Sequence, residues 1–157
     1  MKTILGIDPG FGRMGFGCIR VQKGQCQAMD FGVVTTKAGE EFGERLKQIA
    51  QDLRSLIRTL KPSLIAMEKL FFTSNAQTAM RVAEARGVAY LIAAEEGIPV
   101  VEFTPSQIKK AMTGDGRADK RAMQRMVVLL LDLSRAPKPD DAADALGAAI
   151  AASSLRS

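Results

Sequence analysis

The sequence contains no histidine. That absence excludes a Ser-His-Asp triad, a Cys-His pair, an imidazole general base and any zinc site built on histidine, so a bound metal must be held mainly by oxygen. Cysteine is scarce as well, with Cys18 and Cys26 the only two. Two thiols in a basic chain do not make a disulfide framework, so both are read as reduced and the chain as cytoplasmic. No run of about 18 apolar residues occurs, which removes a spanning helix, and Lys2 leads directly into a strand pattern rather than a secretory signal. No membrane partner is expected.

What is present suits one compact domain over residues 1–157. The chain is 46% apolar and 25% charged, enough to build a core without staples. Lys and Arg number 22 against 17 Asp and Glu, a formal charge of +5 with a pI near 9.5. Such a balance suits a polyanionic partner, although net charge alone identifies none.

The apolar run from Thr3 to Asp8 and the alternating stretches Gly15 to Val21 and Gln25 to Thr35 predict three strands, the last two joined by a Lys23-Gly24 turn. From Glu41 the period becomes helical, with Phe42, Leu46, Ile49, Leu53, Ile57 and Leu60 on one side until Lys61-Pro62. Leu64 to Met67 reads as a buried strand ending at Glu68, 75–97 as a long helix, and Pro99 to Phe103 as a fifth strand. Thr104-Pro105-Ser106-Gln107 carries a capping box and opens a helix. Further helices run from about Asp119 to Leu133, with Met123, Met126, Val127 and Leu130 inward, and from near Asp140. This order, β-β-β-α-β-α-β-α-α-α, belongs to an α/β domain with a mixed five-stranded sheet and helices on both faces. The second half of the 75–97 helix is apolar nearly all round, and Ala83 and Gly87 lie four apart. Both burial on the sheet and a helix-on-helix contact between two copies remain open.

Four acids have a reason to meet. Asp8 and Glu68 each end a strand, and in a neighbouring parallel pair both would emerge at the same end of the sheet. Asp141 and Asp144 are three apart and share a helix face, as Asp140 and Asp144 also would. We assign Asp140 as the helix cap and Asp141 as the candidate ligand. Converging carboxylates repel unless cations neutralise them, and without imidazole or thiolate nearby the fitting cations are magnesium or manganese. Two such ions can activate water and stabilise the leaving oxygen of a phosphodiester. Taken singly, each acid would read as a turn or cap residue. The Gly10-Phe11-Gly12-Arg13-Met14-Gly15 stretch matches a dinucleotide fingerprint, but a strand pattern follows it where a helix is required. We expect those glycines to make a tight turn that leaves room for a bulky substrate beside Asp8.

Five stretches then occur in one family's order and spacing: GIDPG at 6–10, Glu68 with Phe71-Phe72, EARGVA at 84–89, TPSQIKKAMTGDGRADK at 104–120 and DDAADALGAAI at 140–150. Over essentially its whole length the chain resembles the RuvC family, the Holliday junction resolvases of bacteria. The resemblance implies an RNase H-like fold, a homodimer and a magnesium-dependent endonuclease. Such an enzyme cuts two strands of a four-way junction symmetrically and leaves 5′-phosphate and 3′-hydroxyl ends. It also implies a branch-migration partner, RuvA with RuvB. Carried over by position, the acidic ligands of two magnesium ions per subunit, with manganese as a substitute, fall on Asp8, Glu68, Asp141 and Asp144. The aromatic wedge falls on Phe71, with Phe72 beside it, one of the pair being left for core packing.

Lys109 and Lys120 match the family's functional lysines, and Lys110, Arg117, Arg121 and Arg125 lie in the same DNA-gripping segment. Between Thr104 and Arg135 seven cations face three acids, so most of the excess charge sits beside the carboxylates. The chain departs from the family in two places: Thr73-Ser74-Asn75 lacks a basic residue, so the grip on DNA at that loop is either weaker or comes from Arg81, and Glu84 replaces a usual Gln. Some relatives carry His where Asp141 stands. Two other readings stand beside the resolvase: a YqgF-like RNase H-fold nuclease acting on RNA, and a non-catalytic junction-binding module. An actin-like ATPase would need two such domains.

Overall fold

The computed structural model describes residues 1–70 and 75–155. Phe71 and Phe72 lie outside the described residues. The elements follow the expected order: β1 (Lys2–Asp8), β2 (Arg13–Gln22), β3 (Gln25–Thr35), α1 (Phe42–Leu60), β4 (Leu64–Glu68), α2 (Ala76–Glu95), β5 (Val100–Phe103), α3 (Pro105–Thr113), α4 (Lys120–Leu130) and α5 (Asp140–Ser153). They build a five-stranded sheet in the order β3-β2-β1-β4-β5. The first three strands form an antiparallel meander, and β4 and β5 join β1 in parallel.

Strand alternation divides the core into two layers, because successive side chains point to opposite faces. Leu5 and Ile7 of β1 and Ile65 and Met67 of β4 face one way, onto Ile49, Leu53 and Ile57 of α1 and Ala85, Ala89 and Ile92 of α2. Ile4, Leu64 and Ala66 face the other way, onto α3, α4 and α5. By the same alternation Asp8, four residues after Ile4, and Glu68, two after Ala66, point to the α5 side.

Helix α5 lies unusually close to the strands, and three glycines make this possible. A Cβ on Gly6 would fall 1.8 Å from the Ala145 carbonyl oxygen, one on Gly17 2.6 Å from Leu146 Cγ, and one on Gly15 2.1 Å from the Asp141 carbonyl oxygen. Gly6 pairs with Gly17 and Asp8 with Gly15 across the β1-β2 ladder. The smooth floor receives the alanine-rich helix, whose residues from Ala145 to Ala152 are all buried. The expected room for substrate at the third glycine of the turn is therefore filled by the protein itself: Gly15 makes space for Asp141.

Two local expectations also need correction. Helix α4 ends at Leu130 rather than Leu133, and Leu130 is exposed while Leu131 is buried. Once the helix stops, with Asp132 in the left-handed region at φ 50°, the next side chain is the one turned inward. Asp140 does not cap α5: Pro139 occupies that position without a side-chain cap, and Asp140 lies in the first turn. The capping box of α3 is present as expected, with Thr104 and Gln107 bonding reciprocally.

Candidate active site

Parallel pairing of Gly6 with Ala66 and Ile7 with Met67 brings the ends of β1 and β4 side by side, so Asp8 and Glu68 emerge together. The first two turns of α5 bring Asp141 and Asp144 over them. The electrostatics record the convergence. Asp8 is pushed up from 3.8 to about 8, first by burial and then by the charges of Asp144, Asp141 and Glu68, with a side-chain hydrogen bond to Asp141 adding to the rise. Burial followed by Asp144 raises Glu68, against an opposing pull from Lys109. Burial of the carboxylate raises Asp144 too, with Lys120 opposing.

The remaining cations and acids are arranged around this centre. Arg13 Nε lies 2.6 Å from Asp141 Oδ2, an oxygen that is buried yet accepts no aligned hydrogen bond. Lys120 Nζ bonds Asp140 Oδ2 at 2.9 Å and Gln124 Nε2 bonds Asp140 Oδ1 at 3.1 Å, so Asp140 faces out and stays below its ordinary value through Lys120. A groove of about 310 Å³ runs from Glu68 and Asp144 past Lys109 and Lys120, and a second of about 260 Å³ joins Asp8 and Glu68 to Arg86. Lys110, Arg117, Arg121 and Arg125 are exposed on α3, the following loop and α4.

Among the described residues, no three acids are gathered, in the rotamers they adopt, closely enough to hold one ion between them. The donor set nevertheless fits a hard divalent cation. It is all carboxylate oxygen, it includes a buried oxygen of Asp141 without an aligned donor, and its members raise one another's proton affinity. Asp8, Glu68, Asp141 and Asp144 are the residues that would hold such an ion. Neither thiol is paired, and burial pushes Cys18 up to about 11.

Arg81, expected to grip DNA, packs on two aromatic rings. Its guanidinium stacks 4.9 Å over the Phe42 ring and 5.8 Å from that of Phe11, while Arg45 covers Phe11 at 4.9 Å. Arg45 Nε donates to Thr36 Oγ1 at 2.9 Å, and Thr36 Oγ1 donates in turn to the Phe11 carbonyl at 2.5 Å. This network pins the loop that follows Asp8. Arg86 is a second residue the pattern reading missed. It donates to the Glu68 carbonyl, pairs with Glu102 and stacks on Tyr90, tying the end of β4 to β5 from α2. A charged residue inside an apolar stripe was the available signal for Arg45; for Arg86, only the strand order could reveal its partners.

Comparison with known proteins identifies the family and the fold. The family model described as crossover junction endodeoxyribonuclease RuvC matches residues 4–152. The RuvC of Petrotoga mobilis is 48% identical over 98% of this chain and 94% of its own length, and that of Chloroflexus aurantiacus 50% identical over 93% and 89%. Among solved structures, Thermus thermophilus RuvC in complex with a Holliday junction substrate superposes with a TM-score of 0.92 at 32% identity, covering 96% of this chain and 92% of that one. A second Thermus thermophilus RuvC structure has a TM-score of 0.89 at 34% identity, covering 95% and 92%. The sheet with helices on both faces is thus RNase H-like. Nucleases of the matched family depend on a metal ion. The chain belongs to the RuvC family of crossover junction endodeoxyribonucleases.

Proposed function

We infer that this protein is an endonuclease that resolves four-way DNA junctions by paired, symmetric hydrolysis of phosphodiesters, one per subunit, leaving 5′-phosphate and 3′-hydroxyl ends. The observation that carries the reading is the convergence of Asp144, Asp141 and Glu68 on a half-buried Asp8 at the joined ends of β1 and β4. These four residues would hold two magnesium ions, with manganese able to substitute. Bound there, the ions supply water activation and charge stabilisation for the leaving oxygen.

The chain's own residues do the rest. Lys109 and Lys120 line the groove beside Glu68 and Asp144 and meet the phosphates of the strand to be cut, while Lys110, Arg117, Arg121 and Arg125 extend the basic track. Phe71, with Phe72, stacks on bases opened at the junction. Arg81 contributes through Phe11 and Phe42, steadying the loop after Asp8.

The protein acts as a single domain, 1–157, and as a homodimer, since two cuts need two sites. Helix α2 supports this: Ala85, Ala89, Ile92 and Ala93 are buried on the sheet, whereas Met80 at 62% and Leu91 at 57% are exposed and nothing lies within 4 Å of a Cβ on Gly87. A second copy packed on that stripe would cover it at close approach. The branch-migration pair RuvA and RuvB supplies the junction, and the site of action is the cytoplasm. Among the described residues no helix is long and apolar enough to cross a membrane.

The non-catalytic reading needed the acids as caps, yet Asp8 and Glu68 end strands, Asp144 lies beyond the first turn of α5 and Pro139 is the cap. The RNA-directed reading has no observation in its favour. A cleavage gel with synthetic four-way junction, linear, nicked and flap DNA in magnesium tests the assignment. Junction cutting by the parent and binding without cutting by Asp8→Asn are expected; equal cutting by both, or by neither in magnesium or manganese, refutes it.

A further inference from the structure

Arg13 opens β2 directly beneath the first turn of α5. Its backbone is held there closely: a Cβ on Gly10 would fall 2.2 Å from the Arg13 carbonyl oxygen, and Gly15, two residues on, lies against Asp141. Of Asp8, Glu68, Asp141 and Asp144, only Asp141 has an ion-pair partner among the described residues, and that partner is Arg13. The two ends of the pair differ. Arg13's side chain is 55% exposed, whereas Asp141 Oδ2 is buried and accepts no aligned hydrogen bond. The oxygen is held by charge alone, by a cation that reaches water.

We propose that Arg13 is a displaceable counter-ion of the acidic site. It holds Asp141 while the site lacks a cation, yields that oxygen when a divalent cation enters, and then offers its guanidinium to a phosphate of the bound strand. The proposal rests on the reading of Asp141 as a metal ligand. One oxygen cannot serve a guanidinium at 2.6 Å and a dication at full strength together, so entry of the ion frees Arg13. A freed guanidinium presents a planar fork of donors that matches phosphate oxygens, and its partner Asp141 lies three residues along α5 from Asp144, which lines the groove proposed to take the DNA. Cation and strand then favour each other's binding through this one side chain, reciprocally.

The test uses the whole chain. Manganese binding is followed by electron paramagnetic resonance for the parent, Arg13→Gln, Arg13→Lys and Asp8→Asn. Junction binding is measured without divalent metal and with calcium in place of magnesium. Arg13→Gln should bind manganese about fivefold more tightly than the parent, the scale of an exposed ion pair, and Arg13→Lys should stay near the parent because it keeps the charge. Without metal, Arg13→Gln should bind the junction as the parent does, and with calcium more weakly. Unchanged or weaker manganese binding by Arg13→Gln, or by both Arg13 variants alike, overturns the proposal and leaves the metal site standing. So does a junction loss equal with and without calcium. If Asp8→Asn binds manganese as tightly as the parent, the metal-site reading falls and the proposal falls with it.

Discussion

Replacing Asp8 with Asn probes the electrostatics of the site without any substrate. Burial and three neighbouring acids push this carboxyl from 3.8 to about 8, while Asn keeps its shape and removes its charge. A carboxyl that holds its proton more tightly in the folded than in the unfolded chain stabilises the fold fully below the unfolded value near 3.8. That stability is lost as pH climbs through about 8. Near neutral pH the roughly three units between the unfolded value and the working pH would cost about 4 kcal/mol, at roughly 1.4 kcal/mol per unit. Because Asp8 borders an open groove, solvent and side-chain relaxation reduce this to about 2 kcal/mol. For a chain of this size that is about 5 °C in melting temperature. Asp8→Asn should therefore melt about 5 °C above the parent in EDTA near neutral pH, with the gap closing as pH falls toward about 4. Magnesium should narrow it by stabilising the parent alone. Coincident melting near neutral pH, or a gap that widens in acid, would refute the reasoning.

Four further outcomes follow from other contacts. Gly15→Ala puts a Cβ 2.1 Å from the Asp141 carbonyl oxygen, so α5 must lift; about 1–3 kcal/mol of stability and most junction cutting should be lost, by denaturant titration and gel. Arg86→Ala removes the tie between Glu68 and Glu102 and should lower the cutting rate about tenfold at unchanged junction affinity, with Arg86→Lys failing to restore it. Lys120→Ala should weaken junction binding and reduce the slope of log affinity against log salt by about 1 in a filter-binding series. Leu91→Glu puts a charge on the exposed stripe of α2 and should halve the mass measured by light scattering.

The element order and most boundaries were legible because they depend on local properties. Alternation marked β1 to β3, the 3.6-residue period marked α1, and Thr104 with Gln107 marked the start of α3. Missing histidine and clustered lysine and arginine narrowed the chemistry in the same local way. The misreadings arose where the nearest neighbour in space is remote in sequence. Gly15 looked like part of a substrate-accommodating turn and is the seat of Asp141, and Leu130 looked inward until the helix ended early.

The amino-acid order alone determined the order and most of the extent of the strands and helices, that Asp8 and Glu68 end strands, and that any metal must be held mainly by oxygen. Tertiary structure alone decided that these two ends are parallel neighbours, and that three glycines let α5 bring Asp141 and Asp144 down onto them. It also decided that Arg13 and Arg86 attend the result. The physical reason is range. Periodicity and capping act over a few residues, whereas the field of four carboxylates from three separate elements exists only once the sheet and its covering helix are assembled.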